Sequence, residues 1–334
     1  MKLPNEHPRL PPKKTGILLV NLGTPDSTKW WDIRKYLKEF LSDKRVIEVN
    51  PILWQLILNI IILTFRPSKT AKAYKKIWMK KENISPLRYF TIMQVEGLKK
   101  RIRSKLIYID HAMRYGNPSI KSKLTQMKKE GCQNIIVFPL YPQYAAATTA
   151  TVCDEVYRTL MGMRWQPNLQ IVPHYESEPL YIKALSESIK RVLRKIKWKP
   201  DAIVASYHGI PKKYFEKGDP YHCYCQKTSR LLRENLKIKI PIITTFQSRF
   251  GPDEWLQPYT DKTLENLPEE GKLNILVICP GFASDCVETL EEIAIEGKES
   301  FIESGGKKFF MVPCLNSDSK HIDLLEHLTK RHLF

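Results

Sequence analysis

Eight short runs of β-branched and apolar residues recur along the chain, each separated from the next by a longer stretch of helical periodicity. This alternation limits the possible fold more than any other feature. GILLVN (16–21), KLIYIDHA (105–112), NIIVFPL (134–140), LQIVPH (169–174), AIVASY (202–207), PIITTF (241–246), LNILVIC (273–279) and KFFMVP (308–313) read as strands. Helices are expected near 28–41, 51–64, 68–80, 86–103, 118–130, 147–160, 178–196, 221–236, 284–302 and 318–331. Strands separated by helices in this way predict an α/β protein whose parallel sheets are covered by helices on both faces.

Two pairs of strand ends look alike. LLVNLGTP (18–25) matches VASYHGIP (204–211), and FPLYPQYAAATTATVCDEV (138–156) matches ICPGFASDCVETLEEI (278–293), in the same order each time. The 334 residues therefore divide into two similar α/β halves, 16–177 and 178–315, around a central cleft. An N-terminal arm, 1–15, precedes them and a C-terminal helix, 316–334, follows. In open α/β sheets ligands sit beyond the carboxyl ends of the strands, and all four look-alike segments are loops of that kind.

With 43% hydrophobic and 27% charged residues, the composition excludes a disordered or collagen-like chain. The net charge of +19 is uneven: residues 1–110 hold 23 Lys/Arg against 9 Asp/Glu. That excess favours an anionic partner. Nucleic acid is not expected, because no zinc-finger spacing, helix-turn-helix or RNP-like aromatic stretch accompanies the charge. The seven cysteines, odd in number and mostly isolated among apolar residues, suggest free thiols in a reducing compartment, and the start of the chain has no apolar leader. A cytoplasmic location is the expectation.

His208 ends the run AIVASY and faces the cleft, where an imidazole can accept a proton or bind a divalent metal; the alternative is a histidine bonded to a neighbouring loop. On an ideal helix, Asp285, Glu288, Glu292, Glu296 and Glu299 fall within an arc of about 80°, with Glu291 pointing elsewhere. Such a row is either a solvated acidic face or a means of holding cations or protons. Segment 49–65, VNPILWQLILNIIILTF, carries no charge and is followed by the basic run 66–81. It is short for a bilayer span and reads as an exposed apolar lip that would meet anionic lipid peripherally.

SYHGIP (206–211), CPGFASDCVETLEEI (279–293), NLGTP (21–25), RPSKTAKAYKKIW (66–78), MRYGNP (113–118) and FPLYPQY (138–144) resemble, in order, the ferrochelatases, particularly the proteobacterial form. The resemblance implies two Rossmann-like, chelatase-type halves around a porphyrin cleft. It also implies insertion of Fe²⁺ into protoporphyrin IX to give protohaem, the terminal step of haem synthesis. By the same resemblance His208 and Glu288 are the catalytic and metal-meeting pair, while Asp285, Glu292 and Glu296 line a proton or metal path. Leu22, Arg114, Tyr141 and Ser206 sit on segments like the walls of the porphyrin pocket. Peripheral association with the inner membrane and transient contact with the preceding porphyrin-pathway oxidase are further implications.

The chain departs from the animal enzymes at Cys286, where they carry histidine. Their iron–sulfur cluster uses a cysteine at the position of Ala146 and three in a C-terminal extension, whereas here no cysteine follows Cys314. Some bacterial relatives hold a [2Fe–2S] cluster on internal cysteines, so Cys223 and Cys225 are candidate ligands, the alternative being free thiols beside the pocket. Two other readings of the whole chain are a chelatase acting on coproporphyrin and a two-lobed tetrapyrrole- or metal-binding protein without turnover.

Overall fold

The computed structural model describes residues 13–333. It contains two four-stranded parallel sheets. The first is built from β1 (Lys14–Thr24), β2 (Ile107–Gly116), β3 (Cys132–Pro139) and β4 (Asn168–Ile171), in the order β2-β1-β3-β4. The second uses β5 (Ala202–His208), β6 (Ile242–Gln247), β7 (Asn274–Ile278) and β8 (Lys308–Met311), in the order β6-β5-β7-β8. One strand order is thus used twice, and the look-alike sequence pairs are topological equivalents, β1 with β5 and β3 with β7. Each pair flanks the point where strand order reverses, so four equivalent loops converge on one crevice. The first twelve residues of the expected N-terminal arm lie outside the described residues, and Lys14 and Thr15 already belong to β1.

Alternation along the central strands builds a layered core. In β1, Ile17 and Leu19 face a shared core between the sheets, while Leu18 and Val20 face the helices on the other side, and all four are fully buried. In β5, Ile203, Ala205 and Tyr207 join the same shared core and Val204 points away from it. At about 1.5–3 kcal/mol for each large apolar side chain buried, this layer is the principal force uniting the halves. Helices Pro86–Arg101, Pro179–Lys195, Tyr221–Leu236 and Ser319–Lys330 fill it, and the last packs on the first two.

All eight expected strands are present, and the helices differ in five places. The segments expected at 51–64 and 68–80 are one helix, Pro51–Ile77, that runs through Pro67. Its irregularity lies upstream, in a π-turn at Leu58–Ile62 that ends with Leu63 at ψ −3°, tilting away the carbonyl that the proline ring would otherwise meet. Two further π-turns, Ala146–Ala150 and Glu292–Gly297, interrupt helices read from sequence as regular. Short helices Lys212–Glu216 and Thr260–Asn266 occupy stretches read as loops.

The C-terminal helix carries a buried titratable group. His321 is 1% exposed, and its Nδ1 donates to the Asn316 carbonyl at 2.6 Å. Burial lowers its pKa from the usual 6.5 to about 4. The unfolded chain then takes up a proton before the folded one does, so the histidine's contribution is fully present above pH 6.5 and is lost as pH falls from there to about 4. Urea unfolding across that interval should show a loss of about 3 kcal/mol that His321→Gln lacks. Parallel pH profiles for the two proteins would contradict this account.

Candidate active site

The four strand-end loops enclose a cavity with about 770 Å³ of empty space including its mouth. Leu22 and Gly23 lie near the end of β1, Leu140, Tyr141 and Gln143 follow β3, His208 ends β5, and Phe282, Cys286 and Glu288 are among the lining residues that follow β7. Leu22, Ile77, Leu87, Leu140, Phe282 and Val287 make the wall largely apolar, and among the described residues no Lys or Arg lines it. Two buried polar atoms on that wall, the Tyr141 hydroxyl and the Gln143 Oε1, have no hydrogen-bond partner among the described residues. Burial pushes the Tyr141 phenol well above its ordinary pKa, so it stays protonated and able to donate.

His208 is half-buried at the carboxyl end of β5, and its Nδ1 lies 2.6 Å from the carbonyl oxygen of Gly209. A carbonyl only accepts, so the Nδ1 proton is committed there and the Nε2 lone pair of the neutral ring is free. Glu288 lines the same cavity from the first turn of the acidic helix. That helix begins at Cys286, whose side chain accepts from the backbone of Thr289 while its own N–H donates to Thr289 Oγ1 at 3.0 Å. Burial raises the pKa values of Tyr36 and Tyr74; the Glu288 charge adds to the shift next after burial at Tyr74, and behind both burial and Tyr74 at Tyr36.

The single row of carboxylates expected from ideal helical spacing is not formed. Asp285 lies before the helix and is 4% exposed; its carboxylate accepts from Asn316 Nδ2 at 2.6 Å, Thr289 Oγ1 at 3.1 Å and Cys314 N at 3.2 Å. It acts there as a structural anchor for the turn. Beyond it, the π-turn opens the spacing from four residues to five, with Glu296 N donating to Glu291 O at 3.0 Å. Glu291 is therefore beside Glu296 and salt-bridged to Lys76 at 2.7 Å, contrary to its expected isolation on another face.

Glu292 and Glu296 share a second cavity behind the helix, of about 720 Å³, whereas Glu299 lines a different one. The pKa of Glu292 is raised by burial, with Ser248 and His208 opposing and Glu288 reinforcing the shift. That of Glu296 is raised by burial and then by Glu291. Glu292 therefore feels the charges of both His208 and Glu288 while lining the second cavity.

Two other expected porphyrin-wall residues lie off this wall. Arg114 Nη2 contacts Asp43 at 2.5 Å and its Nε donates to Thr151 Oγ1 at 2.7 Å, within a separate charged cleft. Ser206 is fully buried and donates to Gln247 Oε1 at 2.7 Å. Cys223 is exposed and Cys225 fully buried, two residues apart on one helix and facing opposite sides. The two thiols do not converge and so do not fit one cluster. Among the described residues no three His, Cys, Asp or Glu are grouped to hold a metal.

Sequence reasoning missed Tyr74, Gln143, Gln247 and Ser248. Tyr74 was legible: Pro67, Ala71, Tyr74 and Trp78 repeat at helical spacing within the basic run, and the first three are buried. The family model for ferrochelatase matches residues 14–333. The ferrochelatase of Rhizobium etli is 54% identical over 332 residues, covering 99% of this chain and 96% of that protein. That of Francisella tularensis is 50% identical over 318 residues, covering 94% and 95%. Among solved structures, SirB of Bacillus subtilis with Fe³⁺ aligns over 95% of both chains with a TM-score of 0.57 at 13% identity, a likeness of fold alone. Strand order, crevice and sequence agree, and the chain belongs to the ferrochelatase family.

Proposed function

We infer that the protein is a lyase that inserts Fe²⁺ into protoporphyrin IX, yielding protohaem. The observation that carries this reading is an apolar crevice between two sheets with an imidazole and a carboxylate as ionisable groups on its wall. Iron enters as a dication and two pyrrole protons leave, so the reaction needs a proton acceptor near the ring centre and an outlet for protons. His208 Nε2 is the acceptor and Glu288 shares its proton. Leu22 and Tyr141 hold the ring, and Arg114 and Ser206 support the wall from behind it. The apolar side chains of the wall, Leu22, Ile77, Leu87, Leu140, Phe282 and Val287, favour a porphyrin with few carboxylates over coproporphyrin. Purified protein given Fe²⁺ or Zn²⁺ anaerobically should convert the absorbance of protoporphyrin to that of its metal complex, and faster than that of coproporphyrin. Failure to convert either would refute the reading.

Glu292 and Glu296 connect the reacting pair to the rear cavity as a proton or cation path. Glu292→Gln should slow turnover several-fold with porphyrin affinity unchanged, and Glu299→Gln, in a different cavity, should have little effect. Equal activities of these two variants would remove the path. The chain is divided at 177/178 into two halves, with 316–334 as a closing helix. Its exposed lip and basic run favour a cytoplasmic protein bound peripherally at the surface of the inner membrane, where the oxidase that produces the porphyrin would deliver it.

A further inference from the structure

We propose that Gln247 is a positioning residue for metal insertion: it ties the strand end bearing His208 to the main chain of Glu288 and the carboxylate of Glu292. This rests on the reading of His208 and Glu288 as the reacting pair. Gln247 closes β6 as the register partner of His208 and is 3% exposed. Its main-chain oxygen accepts from Gly209 N at 2.8 Å. A Cβ on Gly209 would come within 2.9 Å of that same oxygen, so the glycine permits the close approach.

The side chain bridges the other way. Nε2 donates to the Glu288 carbonyl at 2.7 Å and lies 3.4 Å from Glu292 Oε2. Since the carbonyl can only accept, the amide has one orientation, and Oε1 is left to accept from Ser206 Oγ at 2.7 Å. The amide therefore grips the acidic helix just before its π-turn, while its backbone fixes the loop after the imidazole.

The next residue extends the grip. Ser248 donates its N–H to Glu292 Oε1 at 2.7 Å and its hydroxyl to Oε2 at 2.5 Å. It does so at φ +66°, a left-handed conformation that is strained for a serine and that glycine adopts freely. A non-glycine residue held in this conformation with both donors on one carboxylate has a use for its hydroxyl. Gln247 and Ser248 together set where Glu288 and Glu292 stand relative to His208 Nε2. Misplaced carboxylates slow proton removal from the ring without changing the apolar contacts that bind it.

The test compares Gln247→Met, which keeps length and loses the amide contacts to Glu288, Glu292 and Ser206, with Thr245→Val. Thr245 is equally buried on β6 and accepts from Thr260 Oγ1 at 2.8 Å, away from both glutamates. Turnover with Zn²⁺ and protoporphyrin, porphyrin affinity by fluorescence quenching, and melting temperature are read for each. Gln247→Met should lose about ten- to a hundredfold in kcat with porphyrin affinity retained. Thr245→Val should lose melting temperature and keep kcat.

Wild-type kcat in Gln247→Met, or an equal loss in Thr245→Val, would overturn the proposal. If Gln247→Met does not fold, Ser248→Gly decides. It relieves the backbone, keeps the N–H and removes only the hydroxyl, so kcat should fall while melting temperature holds or rises; unchanged kcat overturns the proposal. His208→Ala is run alongside. Retained turnover there defeats the reading of the reacting pair, whereas its loss with Gln247→Met unaffected defeats only the positioning role.

Discussion

His208→Ala should abolish metal insertion while leaving porphyrin binding almost intact. The ring is gripped by apolar surface from both halves, and the imidazole contributes little to that area, so affinity by fluorescence quenching should change little. On the proposed reading, turnover depends on the free Nε2. With Nδ1 committed to Gly209, no other atom of the ring can accept the proton. Loss of a positioned proton acceptor costs about 10²–10⁴ in rate. Glu288→Gln should follow the same pattern, since the amide fills the space but takes no proton. Substantial turnover in His208→Ala, with the fold intact by circular dichroism, would assign the base elsewhere.

Replacing Ile52, Leu56, Ile60 and Phe65 together by Ser should release the protein from vesicles containing anionic lipid. All four project from one end of the long helix and are more than half exposed. The choice matters, because within the same segment Leu58 and Leu63 are fully buried and their loss would unfold the lip instead. At about 1.5 kcal/mol for each side chain transferred to lipid, the quadruple change forfeits roughly 6 kcal/mol, several orders of magnitude in partitioning.

High salt should weaken wild-type binding only in part, because it screens the lysines of the following basic run and leaves apolar contact untouched. Flotation assays measure both effects. The helix Pro51–Ile77 is long and apolar enough to cross a bilayer by length and composition, yet one side of it is packed against protein. Carbonate-resistant association of the wild-type protein would overturn peripheral binding.

The strands were legible because a run such as Ile17-Leu18-Leu19-Val20 has only one economical destination, the middle of a sheet covered on both faces. The repeat was legible for the same reason, since equivalent strand ends keep equivalent turns. What the sequence did not disclose is where a helix changes its pitch. The acidic row followed from 3.6 residues per turn, and one π-turn moved Glu291 beside Glu296. The same blindness hid Ser248, because a serine in a left-handed conformation leaves no mark of the kind glycine would. Arg114 and Ser206 could be placed near the ends of their strands but not aimed, as their bonds to Asp43 and Gln247 depend on residues 71 and 41 positions away.

The twofold use of one strand order has a stereochemical consequence. Superposing the matched turns LLVNLGTP and VASYHGIP sets Leu22 on His208, so pseudo-equivalent positions on opposite walls carry an isobutyl group and an imidazole. A flat macrocycle lying between them has two faces that are nearly identical in themselves and wholly different in their surroundings. With His208 as the proposed base, deprotonation would be confined to one face, and the duplicated scaffold would convert an almost symmetric substrate into a reaction with a handedness.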